Sequence, residues 1–348
     1  MTIERKLNER GNVDDSSDQT GQGGQQEGSW LRRRRGTARR AQRETSAPAG
    51  PGPVAEVPFS PASPVKTSQA TAIWTDSHCH LQDEPDPAAT LALARAARVG
   101  RVVCVGTDEA SSRRAVMLAK ELSGRAPAQS KGYAQVPGVR DAEVWATVGL
   151  HPHDAKAGLS SVIEFLDELS AGEGLRRSRV VAIGECGLDY HYDNSPRDVQ
   201  RDVFAAQVGL ANRHNLALVI HTREAWDDTF SILEHEGVPE RTIFHCFTGG
   251  EVEARRCLRI GGLLSFSGIV TFANAVELRQ VVTHCPLDSL LIETDSPFLT
   301  PAPHRGRRNS PSNVTVVGNA VGQLKGFEPE VLAAVSWMNA EKAFGLGV

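Results

Sequence analysis

The 348-residue sequence has no apolar run long enough to cross a bilayer, and no apolar stretch follows its N-terminal arginines as a secretory or twin-arginine signal requires. Its six cysteines (Cys79, Cys104, Cys186, Cys246, Cys257 and Cys285) form no CxxC pair, which argues against a zinc ribbon or a disulfide framework and points to reduced thiols. A net charge of -4 gives no whole-chain signature of a nucleic-acid coat or a membrane-surface protein. Periodic apolar positions are missing before about Ser68, where Gly, Gln, Ser, Pro, Ala and charge predominate. Such a segment buries too little surface to offset its ordering entropy, so residues 1–70 are expected to be a disordered basic and polar tail. Its acidic residues Asp14, Asp15, Asp18 and Glu27 argue against a transit peptide. The expectation is a cytoplasmic protein with no membrane association and no obligate protein partner.

From Ala72 onward apolar runs recur almost to Val348, roughly the length of one α/β barrel. Short β-branched runs alternate with segments of helical period, the pattern of a parallel sheet with crossover helices. Eight strands are predicted: Ile73 to Asp76, Arg101 to Gly106, Val144 to Gly149, Val180 to Glu185, Ala217 to His221, Thr242 to Cys246, Gly262 to Ser267 and Leu290 to Asp295. Helices are predicted over Pro87 to Val99, Ser111 to Leu122, Ser160 to Ser170, Pro196 to Asn215, Ala225 to Glu236, Val252 to Ile260, Ala275 to Thr283 and Ser312 to Leu324, with a ninth over Pro329 to Phe344. Ser195-Pro196 reads as a cap followed by a first-turn proline. Eight strand–helix units imply an α/β (β/α)8 TIM-type barrel, spanning residues 71–348, rather than an open sheet.

Reacting groups of such a barrel sit on the carboxyl ends of the strands. Five of the eleven histidines (His78, His80, His151, His221 and His245) fall there, together with Glu185 and Asp295. A strand's period of two points His78 and His80 the same way and Cys79 the other. Taken singly, each histidine is more often a satisfied core or surface residue. Gathered at one end of a barrel, they read as ligands.

Imidazoles and carboxylates without thiolates suit divalent Zn, Mn or Mg, with the histidine content leaning toward a transition metal. Six candidate ligands (His78, His80, Glu185, His221, His245 and Asp295) are too many for one catalytic ion, so two divalent metal cations are expected. Glu185 would bridge them, and Asp295 would bind one and orient or deprotonate the attacking water. Gly184 and Gly187 would let the chain turn tightly around the bridge. Glu293, deeper on the same side, is expected to be paired or protonated in a supporting role. His151, His153, Arg223, Arg305 and Arg308 are the substrate-binding candidates, because guanidinium matches phosphate and barrel phosphate sites often follow the last strand. Cys79, Cys186 and Cys246 are read as small apolar fillers of the outer layer.

In order along the chain stand DSHCHL, GLHPH, GECGLDY, VIHTREA, HCFTG, SFSGIVTF and LLIETDSPFLTPAPHRGRRNSP. With these motifs, from about Asp76 to Phe344, the sequence resembles the TatD family of metal-dependent hydrolases. The resemblance implies a TIM-type barrel that binds two divalent cations and cleaves phosphodiester bonds in DNA, with 3′ to 5′ exonuclease behaviour. The family's ligand positions fall on the six residues chosen above. Cys186 stands where the family commonly has an aliphatic residue, and the basic tail lies outside the family pattern. DNA is therefore the expected substrate. Two rival readings are D-aminoacyl-tRNA deacylation, or another ester or amide hydrolysis by the same superfamily, and non-catalytic nucleic-acid binding. The last would act through the run Arg32 to Arg35 with Arg39, Arg40 and Arg43.

Overall fold

The computed structural model describes residues 73–123 and 142–346, so the expectation for the tail of residues 1–70 lies outside the described residues. Eight parallel strands follow one another in chain order: β1 Trp74–Cys79, β2 Val99–Cys104, β3 Glu143–Val148, β4 Val180–Asp189, β5 Ala217–Arg223, β6 Thr242–Phe244, β7 Leu263–Phe266 and β8 Leu290–Ile292. The described helices are α1 Pro87–Ala96, α2 Glu109–Leu122, α3 Ser160–Ala171, α4 Arg197–His214, α5 Trp226–Glu236, α6 Glu251–Arg259, α7 Val276–His284, α8 Val314–Lys325 and α9 Pro329–Ala343. The architecture is the expected (β/α)8 barrel. No helix among the described residues is long and apolar enough to cross a membrane.

Local chemistry starts several helices. Asp86 accepts from Ala89 N with Pro87 in the first turn of α1, and Asp108 forms a reciprocal capping box with Ser111 at α2. Ser195, expected to cap α4, does otherwise. Its hydroxyl donates to His153 O at 2.8 Å and accepts from Lys156 N, so it ties the loop after β3 to the loop after β4.

Alternation along the strands divides the core. Val102, Cys104, Ile183, Leu218 and Ile220 belong to the layer between sheet and helices. Val103, Val105, Val181, Val219, Ile243 and Leu291 cluster instead with Ala340, Ala343 and Phe344 at the end of α9. Phe204, Phe244 and Phe266 are fully buried, each contributing about 1.5–3 kcal/mol relative to exposure. Cys79 and Cys186 lie in the sheet–helix layer, whereas Cys246 is only partly buried and turns its thiol to Ser267 Oγ at 3.3 Å.

Two irregularities position the site. Between β1 and β2, Asp76 pairs with Val102 but Cys79 with Cys104, so three steps on β1 face two on β2. Between β4 and β5, Ile183 pairs with Leu218 and Cys186 with Ile220, the same one-residue excess. Each is a bulge, and a bulge re-aims the side chains it carries. His78 lies in the first and Glu185 in the second. Gly187, at φ 133°, follows, and any Cβ there would run into the His221 carbonyl.

The barrel closes where β1 meets the segment after β8. Asp295 N donates to His78 O at 2.9 Å, His80 N donates to Ser296 O at 2.7 Å, and Cys79 bridges to Ser296. β8 ends at Ile292, three residues short of the predicted boundary, because the chain leaves the ladder to form this seam.

Candidate metal centre

Glu185 is the hub. Its Oε1 lies 3.0 Å from His221 Nδ1, 3.2 Å from His245 Nε2 and 3.3 Å from His151 Nε2, while Oε2 lies 3.4 Å from His78 Nε2. These histidines come from the ends of four strands, and the bulge in β4 lifts the carboxylate into their midst. Asp295 stands on the other side, with Oδ1 3.4 Å from His80 Nε2 and 3.6 Å from His78 Nε2. Its backbone is in the left-handed region at φ 55°, held there by the bond to His78 O and by Phe298 N, which donates to Asp295 O. The six predicted ligands thus lie together. His151, expected to contact substrate, stands inside the same cluster.

Among the described residues, donor atoms within 4.8 Å of one another form the sets His78–His80–Glu185, His151–Glu185–His221 and His78–His245–Asp295, and a further set joins His245 to Cys246 and Glu293. The first two share Glu185. One carboxylate oxygen cannot make good hydrogen bonds to three imidazoles at once. His78 is 1% exposed, and neither of its ring nitrogens makes a hydrogen bond. A buried imidazole with an unengaged nitrogen facing two carboxylates fits a cation, since burial without a partner otherwise costs on the order of 1–3 kcal/mol. The residues therefore fit divalent metal.

The electrostatics of the cluster separate carboxylates from imidazoles, and the imidazoles from one another. Burial alone would push the Glu185 carboxyl up, but His245, His151 and His221 around it hold it well below the usual range. Asp295 is likewise lowered despite burial, chiefly by His80. Burial, aided by the charge of His245, lowers His78, and burial takes His151 down to about 4. The other imidazoles go the opposite way: against burial, Asp295 raises His80 to about 9, Asp189 and Glu185 raise His221, and Glu293 and Glu185 raise His245 well above the usual range. A cation bound among two ionised carboxylates would therefore displace protons from these three rings.

A surrounding layer fixes these groups. His245 Nδ1 lies 2.9 Å from Glu293 Oε1, which also accepts from Cys246 N, so the fully buried Glu293 is paired. His80 Nδ1 faces Val105 O at 3.0 Å. Such contacts to the far ring nitrogen set tautomer and orientation.

Four positioning residues escaped the sequence reading. Asp76, fully buried, accepts from Thr294 N, Thr294 Oγ1 and His78 N, joining the two sides of the seam; burial raises its carboxyl to about 8 against those bonds. Asp189 Oδ2 lies 2.9 Å from His153 Nε2 and 3.2 Å from His221 Nε2, while Oδ1 accepts from His191 N and Tyr192 N. Gln207 of α4 clamps Leu150 through both its backbone groups, and Gln200 does the same for Asp189. The spacing of Gln200, Phe204, Gln207 and Ala211 on one helical face was the available signal.

The predicted phosphate binders are dispersed. Arg223 lies over the Tyr192 ring, 4.7 Å from its centroid. Arg305 stacks on Phe272, and Arg308 pairs with Glu84 and donates to Asp83 O, beside the turn that follows His80. Neither Arg305 nor Arg308 bonds to the histidine–carboxylate cluster among the described residues.

The family description "TatD related DNase" matches residues 75–345. The uncharacterized metal-dependent hydrolase YabD of Bacillus subtilis (strain 168) is 40% identical over 273 residues, covering 77% of this chain and 98% of the relative. The 3′-5′ ssDNA/RNA exonuclease TatD of Klebsiella pneumoniae (strain 342) is 31% identical over 265 residues, covering 74% and 91%. The crystal structure of YjjV, a TatD homolog from Escherichia coli K12, superposes with a TM-score of 0.67 at 26% identity, covering 78% of this chain and 98% of that one. With the barrel, the histidine and carboxylate centre and these likenesses together, the chain belongs to the TatD family and is a metal-dependent hydrolase acting on ester bonds.

Proposed function

We propose that this chain is a two-cation deoxyribonuclease that removes nucleotides from the 3′ end of single-stranded DNA. The observation that carries the reading is that Glu185 shares one ligand set with His78 and His80 and another with His151 and His221, while Asp295 stands with His78 and His245 in a third. Divalent cations held there would supply Lewis-acid charge for a phosphoryl oxygen and lower the pKa of water toward neutrality. Zn, Mn and Mg all suit the donor set, with Zn or Mn favoured by its imidazoles.

The protein's own groups supply the rest. Asp295 is ionised and 15% exposed, at the mouth of the cluster, so it can receive the proton of the attacking water. His153, 29% exposed and oriented by Asp189, faces the opening, where it and Arg223 can hold non-bridging phosphate oxygens. The name of the Klebsiella relative, a 3′-5′ ssDNA/RNA exonuclease, supports this choice of substrate.

The test is hydrolysis of a 5′-labelled single-stranded oligonucleotide by the full chain with Mn, Zn or Mg, beside an EDTA control and a mischarged aminoacyl-tRNA. A ladder shortening from the 3′ end, abolished by EDTA, is expected. Intact DNA with loss of the aminoacyl ester would replace the nuclease reading by deacylation.

A further inference from the structure

Among the described residues the Phe, Trp and Tyr side chains are mostly interior, and only Tyr192 and Phe298 are exposed, at 41% and 40%. One exposed ring alone says little, because single apolar residues on a surface are ordinary. Their placement is not ordinary. Tyr192 follows β4 and Phe298 follows β8, and both stand at the rim of the metal centre. The Tyr192 ring lies 5.5 Å from that of His153, which is 4.4 Å from His151; the Phe298 ring lies 6.2 Å from that of His80, which is 5.2 Å from His78. The two aromatics therefore end a line of rings that runs across the site.

Each is also tethered to the centre through its backbone. Tyr192 N donates at 2.8 Å to Asp189, the carboxylate that orients His153 and His221. Phe298 N donates at 2.9 Å to the carbonyl of Asp295, and Phe298 O accepts from the buried Asn309 amide at 2.6 Å. Arg223 lies on the Tyr192 ring, which fixes that ring and sets a cation next to it. Exposed rings held at fixed distance from a hydrolytic centre, with a guanidinium beside one of them, have the composition of a single-strand binding platform, where bases stack and the backbone meets positive charge.

We propose that Tyr192 and Phe298 are base-stacking subsites that grip the nucleotides on either side of the scissile phosphate of a single strand. This rests on the nuclease reading above. Stacking needs a base freed from its partner, so the subsites would favour single strands over duplex and tolerate any base, since every base has a π face. They set substrate class and affinity; the chemistry stays with Glu185 and Asp295.

The test uses the full chain with Mn and two single-stranded oligonucleotides of one length, one complete and one carrying tetrahydrofuran abasic residues at its two 3′-terminal positions. The wild type is expected to show a KM about a hundredfold higher on the abasic strand, the size of two lost stacking contacts. Tyr192→Leu and Phe298→Leu keep apolar bulk but remove the ring; each should raise KM for the complete strand about tenfold, with the loss in KM rather than kcat, and shrink the preference for it. Tyr192→Phe and Phe298→Tyr should keep wild-type KM. Equal KM on both strands for the wild type, or Leu variants that discriminate as the wild type does, would overturn the proposal. A wild type that hydrolyses neither strand would instead overturn the nuclease reading.

Discussion

The two sides of the metal centre are built differently. On the β1–β8 side, His78 and His80 are 1% and 7% exposed, and Asp76, Asp295 and Ser296 bind them into a backbone seam that also closes the barrel. On the β3–β5 side, His221 and His153 are 21% and 29% exposed, and a single side chain, Asp189, orients them. The first side is fixed by main-chain bonds across the seam, reinforced by the Asp76 carboxyl. The second depends on one carboxylate and remains open to solvent and substrate. Cation retention is thus expected to be firmer at the seam, and substrate contact to be concentrated opposite it.

Glu185 belongs to both sides, so its loss should be the most severe. Glu185→Ala is expected to cut hydrolysis by at least about 10³-fold while far-UV circular dichroism stays native, because the residue stands at the rim and not in the barrel core. Asp189→Asn sharpens the contrast. It should weaken cation binding on the His221 side by about 10- to 100-fold, read by calorimetric titration, with the seam side little changed. Equal weakening of both sides would erase the distinction. Asp76→Ala attacks the seam through stability: Thr294 N and Oγ1 lose their acceptor in a fully buried place, which should lower unfolding free energy in urea by about 1–3 kcal/mol. Smallest of all, Cys186→Ala removes a buried thiol directed at Val219 O and should cost about 1 kcal/mol with unchanged metal content.

The sequence made some of these features legible and concealed others. Strand order and the gathering of the candidate ligands at one end of the barrel were readable, because β-branched runs ending in His or an acid recur with crossover helices between them. Strand ends were less so. β4 runs on to Asp189 rather than stopping at Glu185, and β8 stops at Ile292, since pairing at the rim is decided by neighbours distant in sequence. The simple alternation argument for His78 and His80 omitted the bulge after Asp76, and nothing in DSHCHL announces an extra residue. Asp76 and Asp189 were visible as letters in motifs, but a carboxylate's partners are set by tertiary contact: Asp76 meets Thr294 across 218 positions of chain. Gln200 and Gln207 resemble surface residues of a polar helix until their shared face is known to be buried. Ser195 carried a capping signal, but the helix starts one residue later with Pro196 at its N-cap, and the Ser195 hydroxyl accepts from Lys156 N and donates to His153 O instead.

The central claim is that Glu185 joins two cation sites. It is tested most directly by counting tightly bound Zn or Mn per chain, by elemental analysis after equilibrium dialysis, in the wild type and in Glu185→Gln. Two equivalents in the wild type and no more than one in the variant are expected. One equivalent in the wild type, or two in both proteins, would contradict the bridging role.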